Sequence, residues 1–344
     1  MAEIDNDIIK FLQENPLSSS TDIHKGIGKS SYATVKRAIA KLLENGQLIS
    51  KGQRRATRYQ VSLSNQLLGY IDIETYFEKE IDEREIQEGF NFQLVKQVLA
   101  KVDIFTADEV KVLRQLQEEF QSNIAQMSPD VYNKEMERLA IDLSWKSSQI
   151  EGNTYSLLET ERLLKDKETA AGKSKDDATM LLNHKEALNF ILDNPDYVVP
   201  LTIARIEDIH SILVKELPVE RNIRQRRVGI SGTNYKPLDN EHQIREALEE
   251  MCKLINNKEN IFEKSLLALV MLSYIQAFND GNKRTARIIS NAILIANQYC
   301  PISFRTIDSV EYKKAMLIFY EQNNISVFKE VFIEQFRFAV KTYF

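Results

Sequence analysis

Between two apolar runs the chain reads Gln276-Ala277-Phe278-Asn279-Asp280-Gly281-Asn282-Lys283-Arg284-Thr285-Ala286-Arg287, a polar bend whose residue types suit phosphate chemistry. Gly281 lets the backbone pass close to a ligand, and the first amides of a helix starting there are free donors at the positive end of its dipole. Arg284 and Arg287 stand three apart, so on a helix they share a face and can clamp two phosphate oxygens. Asp280 can hold a magnesium ion.

This spacing resembles the signature of the Fic family, His-x-Phe-x-Asp/Glu-Gly/Ala-Asn-Gly/Lys-Arg-x-x-Arg. Phe278, Asp280, Gly281, Asn282, Lys283, Arg284 and Arg287 match it; Gln276 stands where the family has its general-base histidine. The resemblance implies a protein that binds ATP with Mg2+ and moves AMP onto a Ser, Thr or Tyr hydroxyl of a target protein. It places the catalytic positions at Gln276, Asn282 and Arg284, the ATP-binding positions at Gly281, Asn282, Lys283, Arg284 and Arg287, and the metal ligand at Asp280. An imidazole near neutral pKa accepts the proton of the attacking hydroxyl; a glutamine orients it but cannot take the proton. Turnover is therefore expected to be weak or absent. The run Asn282 to Ala286 is also similar to that of the Doc toxins, which bind ATP in the opposite sense and phosphorylate their target, so a kinase reading stays open behind adenylylation.

Two further segments carry the same resemblance. Ser147, Glu151 and Gly152 fit the inhibitory pattern Ser/Thr-x-x-x-Glu-Gly/Asn, which implies that Glu151 pairs with Arg287 and keeps the ATP γ-phosphate from its productive position. Residues 227–237 alternate and are rich in turn formers, which predicts a β-hairpin. By resemblance this is a flap that takes the target segment by strand addition, with Gly229, Ile230, Gly232 and Tyr235 as its binding residues.

The elements that must position these residues read as mainly helical. A core helix over Leu266–Phe278 and a second over Lys283–Gln298 flank the bend; helical patterns cover 176–194 and 201–216, and Ser309–Tyr320 and Ser326–Tyr343 read as packing helices. A helix from Asp130 through Trp145 leads to the inhibitory segment, about 132–152, with Gly152 as its stop. Residues 64–125 are helical in pattern and carry no evident chemistry.

At the front, a short helix over 5–15 ends at Asn15-Pro16. A second follows the Ser19-Ser20-Thr21 cap, and a third, Tyr32 to Asn45, is capped by Ser30 or Ser31 and ends at Asn45-Gly46. Leu48-Ile49 and Thr57 to Val61 then flank a basic turn. Three helices and a basic hairpin resemble a winged helix-turn-helix domain over residues 1–63, followed by the helical connection 64–125 and a Fic core over 126–344.

The charge follows this division. Residues 1–62 carry ten Lys/Arg against six Asp/Glu, whereas the whole chain has a formal net charge of −5. From Lys25 to Arg58 nine basic residues face one acidic, a balance suited to a phosphate backbone, with Lys29, Lys36, Arg37, Arg54, Arg55 and Arg58 the expected DNA contacts. A nucleotide-sensing, DNA-binding regulator without catalysis is thus the alternative function, and a regulator whose core only mediates assembly is another.

Only Cys252 and Cys300 occur, without the spacing of a disulfide framework or zinc site, which fits a reducing cytoplasm. The acidic start does not read as a signal peptide, and the most apolar window falls short of the roughly 20 residues of a membrane helix. Homo-oligomerisation stays open, because no stripe singles out an interface.

Overall fold

The computed structural model describes residues 3–44 and 46–344, and the chain divides into two compact units, Met1–Ile71 and Asp72–Phe344. Asn45, expected to mark the end of the third helix, lies outside the described residues.

In the first unit α1 (Glu3–Glu14), α2 (Ser20–Ile27) and α3 (Tyr32–Glu44) are followed by β1 (Leu48–Lys51), β2 (Arg58–Val61) and α4 (Leu63–Leu68). Ser19 and Asp22 form a capping box at the start of α2, and Gly28 ends it at φ 64°. The Ser31 hydroxyl accepts from the Thr34 amide at the start of α3. β1 and β2 are antiparallel, with Leu48 opposite Val61. Ile8, Leu12, Ile23, Val35, Ile39, Leu42 and Leu48 are buried together as one core, so the helical and strand periodicities turn their apolar residues to the same centre.

The second unit is helical among the described residues: α5 (Ile73–Glu78), α6 (Ala107–Gln126), α7 (Pro129–Ile150), α8 (Leu157–Asp166), α9 (Lys175–Asp193), α10 (Ile203–Leu213), α11 (Glu241–Asn257), α12 (Ile261–Ile275), α13 (Asn282–Ala296), α14 (Ser309–Gln322) and α15 (Ser326–Tyr343). Thirteen of the fifteen residues of α12 are buried, so it is the central helix rather than an amphipathic surface one. α13 packs along it, and α7, α9 and α10 pack on α13. The N-terminus of α13 is thereby held inside the bundle, which is where the polar bend falls.

The sequence reading passed over α11, although Asn240 caps it and Ile244, Ala247, Leu248, Met251, Leu254 and Ile255 make a regular buried stripe. The expected hairpin over 227–237 is a correction. The segment is irregular, with a single isolated parallel bridge between Lys236 and Gly89. No second arm lies opposite the first. Instead, the Arg224 guanidinium donates to Arg226 O and Leu238 O, closing the base of the loop through a side chain rather than through paired strands.

Candidate nucleotide site

The chain leaves α12 through Gln276, whose backbone is left-handed at φ 53°. Its carboxamide is engaged at both ends: Nε2 donates to Ser273 O at 2.6 Å, and Oε1 accepts from Asn282 Nδ2 at 3.1 Å. Asn282 also clips the bend shut, accepting from the Phe278 amide at 2.8 Å and donating to Phe278 O at 2.7 Å. The loop is thus shaped by its own polar side chains before any ligand arrives.

His210 of α10 braces the same loop from behind. Its ring stacks on Phe278 with centroids 3.6 Å apart and an interplanar angle of 4°. Nε2 lies 2.9 Å from Asp280 O and Nδ1 3.2 Å from Arg221 O. A neutral imidazole has one N–H, and the shorter contact places it toward Asp280. Burial pushes the His210 pKa down to about 4, against the pull of the two carbonyls. Gly281 follows at φ 83°, where a Cβ would meet His210 Nε2 at 3.2 Å and Val214 Cγ1 at 3.3 Å. Glycine is required there twice over, by conformation and by space.

Gly281 leads directly into α13, whose first amides have no acceptor within the helix. One turn in, Arg284 and Arg287 are buried, with side chains 1% and 0% exposed. Arg284 donates from Nη2 to Asp280 Oδ2 at 2.9 Å, and its Nε and Nη1 have no partner. Arg287 donates from Nε to Ser147 Oγ at 2.8 Å, and from Nη2 to Ser147 O at 2.9 Å and Glu151 Oε1 at 2.7 Å. Its Nη1 is unpartnered, and the guanidinium lies over the Tyr312 ring. Lys283 donates to the other Glu151 oxygen at 3.4 Å. Burial alone would raise the Glu151 pKa, but Arg287 and Lys283 outweigh it and hold the carboxyl below its ordinary value.

The structure therefore brings together Gln276, Asp280, Gly281, Asn282, Lys283, Arg284 and Arg287 from the bend and Ser147 and Glu151 from the end of α7. Gly152, at φ 98°, is the residue that lets the chain turn away after Glu151. Of the four loop residues expected to meet a target, Gly229 is exposed and Ile230 half-buried, while Gly232 O is taken by Arg84 Nη2 at 3.0 Å. Tyr235 is a correction: it is 2% exposed, stacks on Tyr274 and donates its hydroxyl to Tyr274 O. An aromatic flanked by Asn and Lys in a turn-rich run reads as surface, but its burial depends on α12 lying beneath it.

Lys29, Lys36, Arg37, Arg54 and Arg55 are exposed in the first unit. Arg58 is half-buried, its Nη1 turned back on Arg55 O and Thr57 O. Two site residues escaped the sequence reading. Arg224 is 1% exposed, donates from Nε to Gln276 O at 2.6 Å, and its amide meets Ala277 O at 3.0 Å. His210 is the other, the ring that stacks on Phe278 and meets Asp280 O. Neither carried a local signal, since each acts through residues far along the chain. No histidine of the second unit replaces the missing base: both His210 nitrogens face carbonyls, His184 is buried beside the arginines and His242 is exposed on α11.

A cavity of about 870 Å³ opens elsewhere, lined by Phe120, Tyr132, Met136, Ile295 and Tyr299. It lies at the far end of α13, about 20 Å along the helix from Gly281. Glu137, Asp193 and Asp196 oppose one cation there, Lys185, which disfavours a triphosphate.

Residues 200–294 match the Fic/DOC family. The chain is 30% identical over 175 residues to a protein adenylyltransferase Fic of Nematostella vectensis, a match covering 49% of this chain and 40% of that one. A protein of the same description from Aedes aegypti is 26% identical over 167 residues, covering 46% and 32%. The chain thus spans well under half the length of these relatives. Among solved structures, Fic-1 (residues 134–508) of C. elegans aligns with a TM-score of 0.61 at 19% identity, covering 69% of this chain and 72% of that one. A Fic domain containing signaling protein from Bacteroides thetaiotaomicron aligns at 0.58 and 20% identity, covering 67% and 94%. These two likenesses concern the fold. Residues 200–294, which hold the brace, the bend and both guanidiniums, are the part of the chain that matches the Fic/DOC family.

Proposed function

We propose that the chain binds Mg·ATP at the start of α13 as a Fic-type protein adenylyltransferase, restrained by Glu151 and slowed by Gln276. The observation that carries this reading is the set of buried guanidinium nitrogens without partners, Arg284 Nε and Nη1 and Arg287 Nη1, one turn inside a helix start. Unpaired buried donors are costly, and a polyanion satisfies them together with the free amides of the helix. The residues present therefore fit a triphosphate. For Mg2+ they supply one partly exposed carboxylate, Asp280, which suits an ion that keeps waters and bridges to phosphates.

When bound, Mg·ATP would supply the AMP group: the target hydroxyl oxygen would bond to the α-phosphorus as the α–β bridge breaks, pyrophosphate leaves and the hydroxyl proton passes to water. Arg284 neutralises phosphate charge, Asn282 fixes the shape of the bend beside the anion, and Arg287 stays occupied by Glu151. Gln276 cannot accept the hydroxyl proton, which lowers the rate by roughly 10² to 10⁴. Both cysteines are free and buried, which supports a reducing, cytoplasmic setting. No helix among the described residues is long and apolar enough to cross a membrane.

Incubation with ATP labelled at the α- or the γ-phosphate tests this reading on the wild type, Gln276→His, Glu151→Gly and the double variant. The double variant is expected to carry α-label and the wild type almost none. Label from the γ-position alone would indicate a Doc-like kinase. No transfer by the double variant, with nucleotide still bound, would favour a sensor.

A second reading has its own observation. Lys29, Lys36, Arg37, Arg54 and Arg55 are exposed with no ion-pair partner among the described residues, so the first unit offers unneutralised charge suited to DNA. On that reading nucleotide occupancy of the core regulates a DNA-binding unit.

A further inference from the structure

Away from the bend, the cavity of about 870 Å³ at the far end of α13 has a size within the roughly 300–1,000 Å³ of small-molecule sites. Its floor is apolar: Phe120 and Met136 are 3% and 6% exposed. Its walls are aromatic, and each ring is fixed by another behind it. Phe120 and Tyr132 pack on Phe344 with centroids 4.9 and 6.0 Å apart, and Tyr299 meets Phe262 edge-on at 5.0 Å. The lip is fixed as well. Gln298 is left-handed at φ 61°, and Gln117 holds the turn it makes, donating from Nε2 to Gln298 O at 2.9 Å and accepting from the Cys300 amide at 3.3 Å. The walls are thus held by contacts outside the cavity, so a ligand meets a formed surface and little ordering opposes its binding.

The charge around this apolar surface favours one sign. Lys185 is paired with Glu137 at 3.4 Å, whereas Asp193 and Asp196 have no ion-pair partner among the described residues. Three carboxylates against one ammonium leave the rim negative, which turns away anions and draws cations. A metal ion is not the cation they await, because no group of three His, Cys, Asp or Glu among the described residues is placed to hold one. Aromatic faces attract an organic cation in addition to stacking on its apolar part. The half-buried Tyr132 hydroxyl, which makes no hydrogen bond, adds a polar contact at the same wall. We propose that the cavity is a second binding site, distinct from the bend, for a small organic cation: an amine on a flat apolar body. The body rests on Phe120, Met136 and the tyrosine rings, and the ammonium faces Asp193 and Asp196. The site stands whether or not the bend takes a nucleotide.

Tryptamine, indole-3-ethanol and indole-3-acetate share one ring and a short arm and are cationic, neutral and anionic. Ligand-observed NMR titration of the full chain should show tryptamine bound about tenfold or more tightly than indole-3-acetate, with indole-3-ethanol between them. Asp193→Asn with Asp196→Asn, both at the surface, should bring tryptamine to within about twofold of indole-3-ethanol. Ala296→Trp, from a half-buried position at the end of α13, fills the cavity and should abolish binding of all three. A thermal melt reports whether that variant folds, and the aspartate pair tests the site if it does not. Saturating Mg·ATP should not displace tryptamine, since the cavity lies about 20 Å along α13 from Gly281. Equal binding of tryptamine and indole-3-acetate, no saturable binding of tryptamine, its displacement by ATP, or an unchanged preference in the aspartate variant overturns the site.

Discussion

Glu151 holds two cations at once, Arg287 at 2.7 Å and Lys283 at 3.4 Å, and so cancels charge that a triphosphate would meet. Replacing it by Gln keeps the shape and removes the charge. Nucleotide affinity is expected to rise about tenfold or more, the scale of roughly 1.4 kcal/mol of coupling, and titration calorimetry would detect it. Acid should not mimic this change. Because the folded pKa of Glu151 is depressed, the ion pair is present above the ordinary carboxylate value and is lost only as pH falls through the lower folded value. Wild-type affinity for ATP is thus expected to show no gain attributable to Glu151 between pH 7 and pH 5, and a rise that Glu151→Gln abolishes would contradict the assignment. The Glu151–Arg287 pair was implied by the resemblance of Ser147, Glu151 and Gly152 to an inhibitory pattern. The engagement of Gln276 at both ends was not, since it depends on a left-handed backbone and on Asn282 six residues later.

The bend is an element held from behind, and α10 does the holding. His210 is neutral in the folded protein, with its pKa near 4 against an ordinary 6.5, and buried His184 is shifted the same way by burial and by the two arginines. Below pH 6.5 the unfolded chain binds more protons at these positions than the folded one, so stability falls as pH drops from about 6.5 toward 4. For His210 alone the loss reaches about 2 kcal/mol by pH 5. Thermal melts should show a falling midpoint over that window, with a shallower fall in His210→Gln. Gly281→Ala tests the front of the same element. A methyl at φ 83°, pressed on His210 and Val214, should cost about 1–3 kcal/mol and weaken nucleotide binding. A wild-type melt and affinity would show that the bend is looser than its geometry implies. The helices around this element were readable from their apolar spacing. The loop over 227–237 was not: alternation and turn residues describe a hairpin only if a partner strand exists, and here Arg224 and residues 82–89 take that place.

At the scale of the molecule, the first unit carries a positive excess and the rest a negative one, so binding to DNA would be localised and salt-dependent. Affinity for duplex DNA is expected to fall steeply with salt, and Arg54→Ala with Arg55→Ala should reduce the slope of log K against log salt by about two. An unchanged slope would remove the hairpin contact. The sequence by itself determined the helical character of the chain, the basic front unit with its hairpin, and the glycine bend that opens α13. Each of these is encoded by neighbours within a turn or two, where periodicity, caps and glycines act locally. Only the tertiary structure decided what surrounds the bend: the His210 brace 70 residues away, the Arg224 clamp, the burial of Tyr235 and the bridge between Gly89 and Lys236 of the loop over 227–237. Those contacts join segments that share no local pattern, and the packing of α10, α12 and α13 alone sets which of them meet.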